Sequence, residues 1–180
     1  MQKIIGLSLL VSFAVFFGKS TVYSNDFSVF QKNKFLLPRY LTMPKITFRD
    51  APSNDFPLKK LILSTRRFHL VAIIASWSQH SKDLVKAYNS IYDKFEERDV
   101  GIIALSSHDT IEGLKKFKEL TQPKFYVGFA SDDFISAMKN PSVPTVWTID
   151  NNNRAINILS MPEEKDLNEN IKNILKMTSF

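Results

Sequence analysis

Phe68-His69-Leu70-Val71-Ala72-Ile73-Ile74-Ala75 is a nearly continuous apolar run rich in β-branched residues, the composition of a strand covered on both faces. The period then changes. Leu84, Val85, Tyr88, Ile91, Tyr92 and Phe95 stand at offsets of 0, 1, 4, 7, 8 and 11, a single stripe along an amphipathic helix. Glu96-Glu97-Arg98-Asp99 closes that helix, and Val100 to Leu105 (VGIIAL) reads as a second buried strand. A β-α-β unit of this kind forces a parallel pair joined by a right-handed crossover.

Further elements surround the unit. Upstream, residues 25–44 mix aromatic and polar residues without a period and carry Pro38 and Pro44 as breakers, so they read as a leader into a domain spanning 45–180. Ile46 to Arg49 predicts a short strand and Phe56 to Leu63 a turn of helix. Downstream, Asp109 with Glu112 is a capping-box variant opening a helix with Ile111, Leu114, Phe117 and Leu120 inward, stopped by Pro123. Lys124 to Ala130 is strand-like, with Phe125, Tyr126 and Phe129 as core residues, and Asp132 to Lys139 is a short helix. Thr145 to Asp150 and Ala155 to Ser160 form a hairpin across Asn151, Asn152 and Asn153, which tolerate left-handed turn geometry. Ser160 and Glu163 are expected to cap a last helix that turns Leu167, Ile171, Ile174 and Leu175 inward. The class is α/β: a central mixed sheet with helices on both faces.

Composition bounds the chemistry. A chain of 180 residues with 44% hydrophobic and 23% charged residues has room for one domain with a real core. It contains no cysteine, which excludes disulfides, thiolate catalysis and thiolate metal ligation. Lys3 followed by the mostly apolar Ile4 to Phe17 and ending at Gly18-Lys19 reads as the core of an export signal. It is shorter than the roughly 20 apolar residues that a membrane-spanning helix needs. A signal over residues 1–24 is cleaved or kept as an anchor; either way the domain lies in the periplasm or on the extracytoplasmic face of the membrane. Its removal takes away two of 24 basic residues and none of 18 acidic ones, changing the net charge from +6 to +4. Lys59, Lys60, Arg66, Arg67, Lys115, Lys116 and Lys118 are scattered, which is not a nucleic-acid footprint.

Trp77-Ser78-Gln79-His80-Ser81, between the buried strand and the first long helix, and Val143-Pro144-Thr145, leading into the hairpin, together resemble the exported TlpA/ResA-type thiol-disulfide oxidoreductases of the thioredoxin-like fold. Met43-Pro44 and Pro57-Leu58-Lys59-Lys60-Leu61 are similar to that family's lead-in, so the resemblance spans about residues 43–177. It implies W-C-x-x-C at positions 77–81 and a cis proline at 144. Ser78 and Ser81 occupy the two cysteine positions. Leu84 and Lys86 stand where ResA-type members carry an acid and often a proline. A hydroxyl keeps its proton far above neutral pH and cannot pass electrons through a sulfur-sulfur bond. The resemblance therefore describes a degenerate, redox-inactive member.

The same residues admit other roles. Ser78 and Ser81 suit helix capping, since serine is among the best N-cap residues. A serine nucleophile with His80 as base would need an orienting carboxylate that the sequence does not place, and no G-x-S-x-G elbow is present. His69, His80 and His108 are the only histidines; His69 begins one strand and His108 follows the end of the next, so no metal site or cofactor is expected. In the family the proline loop offers backbone groups to an extended client peptide, a pairing that needs no sulfur. Three outcomes follow: a groove of Trp77, Ser78, His80, Ser81, Val143 and Pro144 that holds a peptide or envelope protein, with an accessory role in envelope protein or cytochrome maturation; a non-thiol enzyme at Ser78 and His80; or a plain scaffold.

Overall fold

The computed structural model describes residues 41–53 and 55–179; the expected signal segment and residues 25–40 of the leader lie outside them. The elements are β1 (Leu41–Thr42), β2 (Thr47–Arg49), β3 (Lys59–Lys60), β4 (Phe68–Ile74), α1 (Gln79–Glu96), β5 (Val100–Ser106), α2 (Ile111–Thr121), β6 (Tyr126–Ala130), α3 (Asp132–Ala137), β7 (Thr145–Asp150), β8 (Arg154–Ser160) and α4 (Glu164–Met177). The strands make one sheet in the order β1-β8-β7-β4-β5-β6-β2-β3. β4, β5 and β6 are parallel, and β7 returns antiparallel to β4 with Ile73 opposite Thr145.

Alternation along β4 divides the core in two. Leu70, Ala72 and Ile74 face a layer containing Leu84, Val85, Tyr88 and Phe95 of α1, Leu114 and Phe117 of α2, and Leu167, Ile171 and Ile174 of α4. Val71 and Ile73 face the opposite layer, with Met43, Phe134, Met138 and Trp147. Both faces are buried, which is why β4 reads as an unbroken apolar run.

Each helix has a chemical start. Ser78 caps α1, Thr110 caps α2 by accepting from the Gly113 amide, Ser131 caps α3 by accepting from the Phe134 amide, and Glu163 with Asp166 forms a capping box on α4. Gln122, in the left-handed region at φ 45°, ends α2 just before Pro123.

Five expectations are corrected. The sheet begins inside the supposed leader, since Leu41–Thr42 pairs with β8 and Met43 is buried. Phe56 to Leu63 is not a helical turn: Lys59 and Lys60 extend the sheet edge opposite Phe48 and Thr47. Phe56, Leu58 and Ile62 stay exposed, so no apolar stripe is buried that would drive a helix there. Thr110, not Asp109, caps α2. Ile111 and Leu120 are exposed, because the buried stripe of α2 runs through Leu114, Phe117 and Thr121. Ser160 does not cap α4; its hydroxyl pairs with that of Ser142 at 2.6 Å.

His69 is a buried titratable group at the start of β4, 4% exposed, and its Nδ1 has no partner among the described residues. Burial pushes its pKa down from 6.5 to about 4; nearby Arg66 adds to this and Asp99 opposes it. Above pH 6.5 the ring is neutral folded or unfolded. Below that the unfolded chain takes up the proton first, so stability falls as pH drops toward 4. The loss is about 3 kcal/mol, since each tenfold difference in proton affinity is worth roughly 1.4 kcal/mol. Urea titrations across pH 7 to 4 are expected to show that loss in the wild type and a shallower slope in His69→Leu. Identical slopes in the two proteins would contradict it.

Candidate functional site

The end of β4 turns sharply into α1. The Ser78 amide donates to the Ala75 carbonyl at 3.1 Å, which closes the turn. The Ser81 amide donates to Ser78 Oγ at 3.2 Å, and the Ala75 amide donates to Ser81 Oγ at 3.2 Å. One hydroxyl thus caps the helix and the other satisfies the first amide beyond the strand. Both are enclosed, Ser81 completely. Trp77, at the apex of the turn, is 71% exposed.

Antiparallel pairing of β7 with β4 brings Val143 and Pro144 beside this turn. The Val143–Pro144 peptide bond is cis. The Met161 amide donates to the Pro144 carbonyl at 2.8 Å and Thr145 Oγ1 donates to the Ser142 carbonyl at 2.7 Å. These bonds fix the loop around Val143, whose own N–H and C=O pair with no backbone group among the described residues. Pro144 is buried and Val143 half-buried.

A third segment, after β5, completes the edge. Asp109 Oδ2 accepts from the Ser76 amide at 2.6 Å and from Ser106 Oγ at 2.5 Å, while Oδ1 accepts from Ser76 Oγ at 2.5 Å. This carboxylate ties the exit of β4 to the exit of β5 and fixes the residue before Trp77. Hydrogen bonds to an ionised acceptor are about twice as strong as neutral ones. Gly113 lets α2 approach the clamp: a Cβ there would lie 2.8 Å from Ser76 Oγ and 3.2 Å from Asp109 Oδ1. In the sequence Asp109 reads as a cap, and its spacing from Ser106 is the only hint of this second use.

Of the expected groove residues, Trp77, His80 and Val143 present surface at this edge, whereas Ser78, Ser81 and Pro144 lie beneath it. His80 is exposed in the first turn of α1, and no hydrogen bond joins it to Ser78 among the described residues; Ser78 Oγ is occupied by the Ser81 amide. That arrangement supplies a helix cap. His69 lies at the opposite end of β4, opposite Gly101, and His108 follows β5 at this end, so the histidines do not converge. Among the described residues no group of three or more histidine and acidic side chains is placed to hold a metal ion.

No protein-family model matches the sequence, and no curated protein matches it. Solved structures do. A protein of Chlorobium tepidum described as a thiol:disulfide interchange protein DsbE is 17% identical, with a TM-score of 0.65 over 79% of this chain and 99% of that one. The thioredoxin domain of a thiol-disulfide oxidoreductase from Bacteroides vulgatus is 15% identical, with a TM-score of 0.63 over 78% and 99%. A thiol:disulfide interchange protein from a Bacteroides species is 14% identical, with a TM-score of 0.63 over 78% and 91%. The chain has the thioredoxin-like fold.

If Ser78 serves as a cap, Ser78→Ala is expected to lower unfolding free energy by about 1 kcal/mol, and Ser78→Thr, which keeps the acceptor oxygen, to restore most of it. Thermal and urea unfolding would check this; equal losses in both variants would rule the cap out.

Proposed function

We propose that this chain is an exported, redox-inactive thioredoxin-fold protein of the cell envelope that holds an extended segment of a peptide or protein without a covalent bond, as an accessory to envelope protein or cytochrome maturation. The observation that carries the reading is the exposed Trp77 ring at the same edge of the sheet as the Val143 backbone, which pairs with no backbone group among the described residues. An extended chain could pair its main chain with Val143 and lay an apolar side chain on Trp77. Affinity by added strand comes from such main-chain bonds, with side-chain pockets giving selectivity. Export is supported by the Lys3 to Lys19 pattern.

With no cysteine in the chain, an insulin-reduction assay is expected to give no turnover above buffer. Peptide-array capture tests binding: Trp77→Ala should weaken recovery of bound peptides by about tenfold or more, as removal of an aromatic anchor does, and Val143→Trp should block the edge. Since Trp77 is largely exposed, melting should be nearly unchanged in Trp77→Ala. Equal recovery of every peptide by wild type and both variants would remove the edge from the account.

A further inference from the structure

We propose that the outer edge of β3 takes up an extended segment of a partner protein as an added strand, one that sets an acidic residue opposite Lys60 between apolar residues opposite Leu58 and Ile62. This surface is separate from the Trp77 edge, and the inference does not rest on the peptide-binding reading above.

β3 is the last strand of the sheet, paired with β2 on one side and with no strand among the described residues on the other. Two bonds fix which way its main-chain groups point. The Leu61 amide donates to the Ile46 carbonyl at 3.0 Å, and the Ser131 amide donates to the Thr47 carbonyl at 3.0 Å. Ile46 and Phe48 therefore turn their backbone toward β3, and Thr47 turns its own toward β6. Main-chain groups alternate sides along an antiparallel strand. Lys59 and Leu61 thus bond to β2, whereas the N–H and C=O groups of Leu58 and Lys60 point away from it, and no group among the described residues bonds to them.

Side chains alternate along the same stretch. Lys59 lies over the Tyr126 ring, 5.7 Å from its centroid, and bonds to Asp50, while Leu61 packs on the core layer of Val71 and Trp147. Leu58, Lys60 and Ile62 fall on the other face. Leu58 is 52% and Ile62 62% exposed, and the exposed Lys60 between them makes no ion pair among the described residues. Single apolar residues are common on protein surfaces, but here two flank an unpaired cation along a free main-chain edge. Strand addition uses that combination: main-chain bonds give affinity and alternate side chains give selectivity.

Lys60 also decides between occupants. Two copies of this chain joined antiparallel about Lys60 would set their ammonium groups directly opposite, which is destabilising, and lysine on an edge strand guards against such pairing. An acid at the facing position reverses the sign. Lys45, exposed just before Ile46 and also without an ion pair among the described residues, adds to the positive field.

The test uses short fluorescent peptides with a Val-Thr-Glu-Thr-Val centre, or Gln or Lys in place of Glu, and reads anisotropy on the full chain. The centre is symmetric, so either chain direction sets its middle residue opposite Lys60. The Glu probe is expected to bind about two- to fivefold more tightly than the Gln probe, the range of one cross-strand charge pair, and the Lys probe more weakly than either. Lys60→Gln should remove that ranking, and Ile62→Ser, at an exposed position, should weaken every probe. Lys60→Pro, which removes an outward N–H and no bond to β2, should block all three, and Trp77→Ala should change nothing. Equal affinities for the three probes, or binding untouched by Ile62→Ser, would overturn the inference whether or not Lys60→Pro folds. Loss of binding in Trp77→Ala would overturn it too, by placing the peptides at the other edge, as would failure of every probe to bind. Sedimentation of the wild type as a dimer that Ile62→Ser dissociates would make a second copy the occupant and contradict the acidic partner.

Discussion

The pairing of β4 with β7 is the constraint on which the rest depends. Val71 lies opposite Trp147 and Ile73 opposite Thr145, with both faces of β4 buried under separate layers. A slip of one residue would exchange those faces and put every side chain of the strand in the wrong layer. Register is therefore held by packing, and its consequence appears at the strand's end: the Trp77 turn and the Val143–Pro144 loop meet at one edge without needing a bond between them.

Around that edge, oxygen has a structural role. Ser78 and Ser81 satisfy amides at the strand-to-helix turn, Ser142 joins Ser160, and Asp109 holds Ser76 and Ser106. Buried polar groups left without partners cost about 1–3 kcal/mol each, so these contacts contribute to stability. The same helix start that would lower the pKa of a cysteine thiol has nothing comparable to offer a serine hydroxyl. What this edge presents to solvent is the ring of Trp77 and part of Val143.

Much of the fold is legible in the sequence because burial on two faces leaves a strong mark. The β4-α1-β5 unit and the β7-β8 hairpin follow from apolar runs, a helical stripe and three successive asparagines. The readings that failed had weak or divided signals. Lys59 and Lys60 form an edge strand whose partner lies more than ten residues away in sequence, which no local pattern records. Ile111 and Leu120 look like core residues by period, yet their helix turns Leu114 and Phe117 inward instead. Asp109 stands one place before the true cap and is drawn into a clamp that needs β4 and β5 side by side. Trp77 and Pro144 can be placed in the sequence, but how far each reaches the surface cannot.

The proposal stands or falls on whether the edge where β4 ends and β7 begins holds an extended chain by noncovalent contact alone. Amide mapping by NMR on the full chain, saturated with an unfolded polypeptide whose thiols are blocked, tests it most directly. Shifts are expected at Ser76 to His80, Asp109 to Ile111, Val143 to Thr145 and Met161, with the far edge around Arg66, Asp99 and Asn151 unchanged. Shifts concentrated at that far edge, or none at all under saturating polypeptide, would contradict the account.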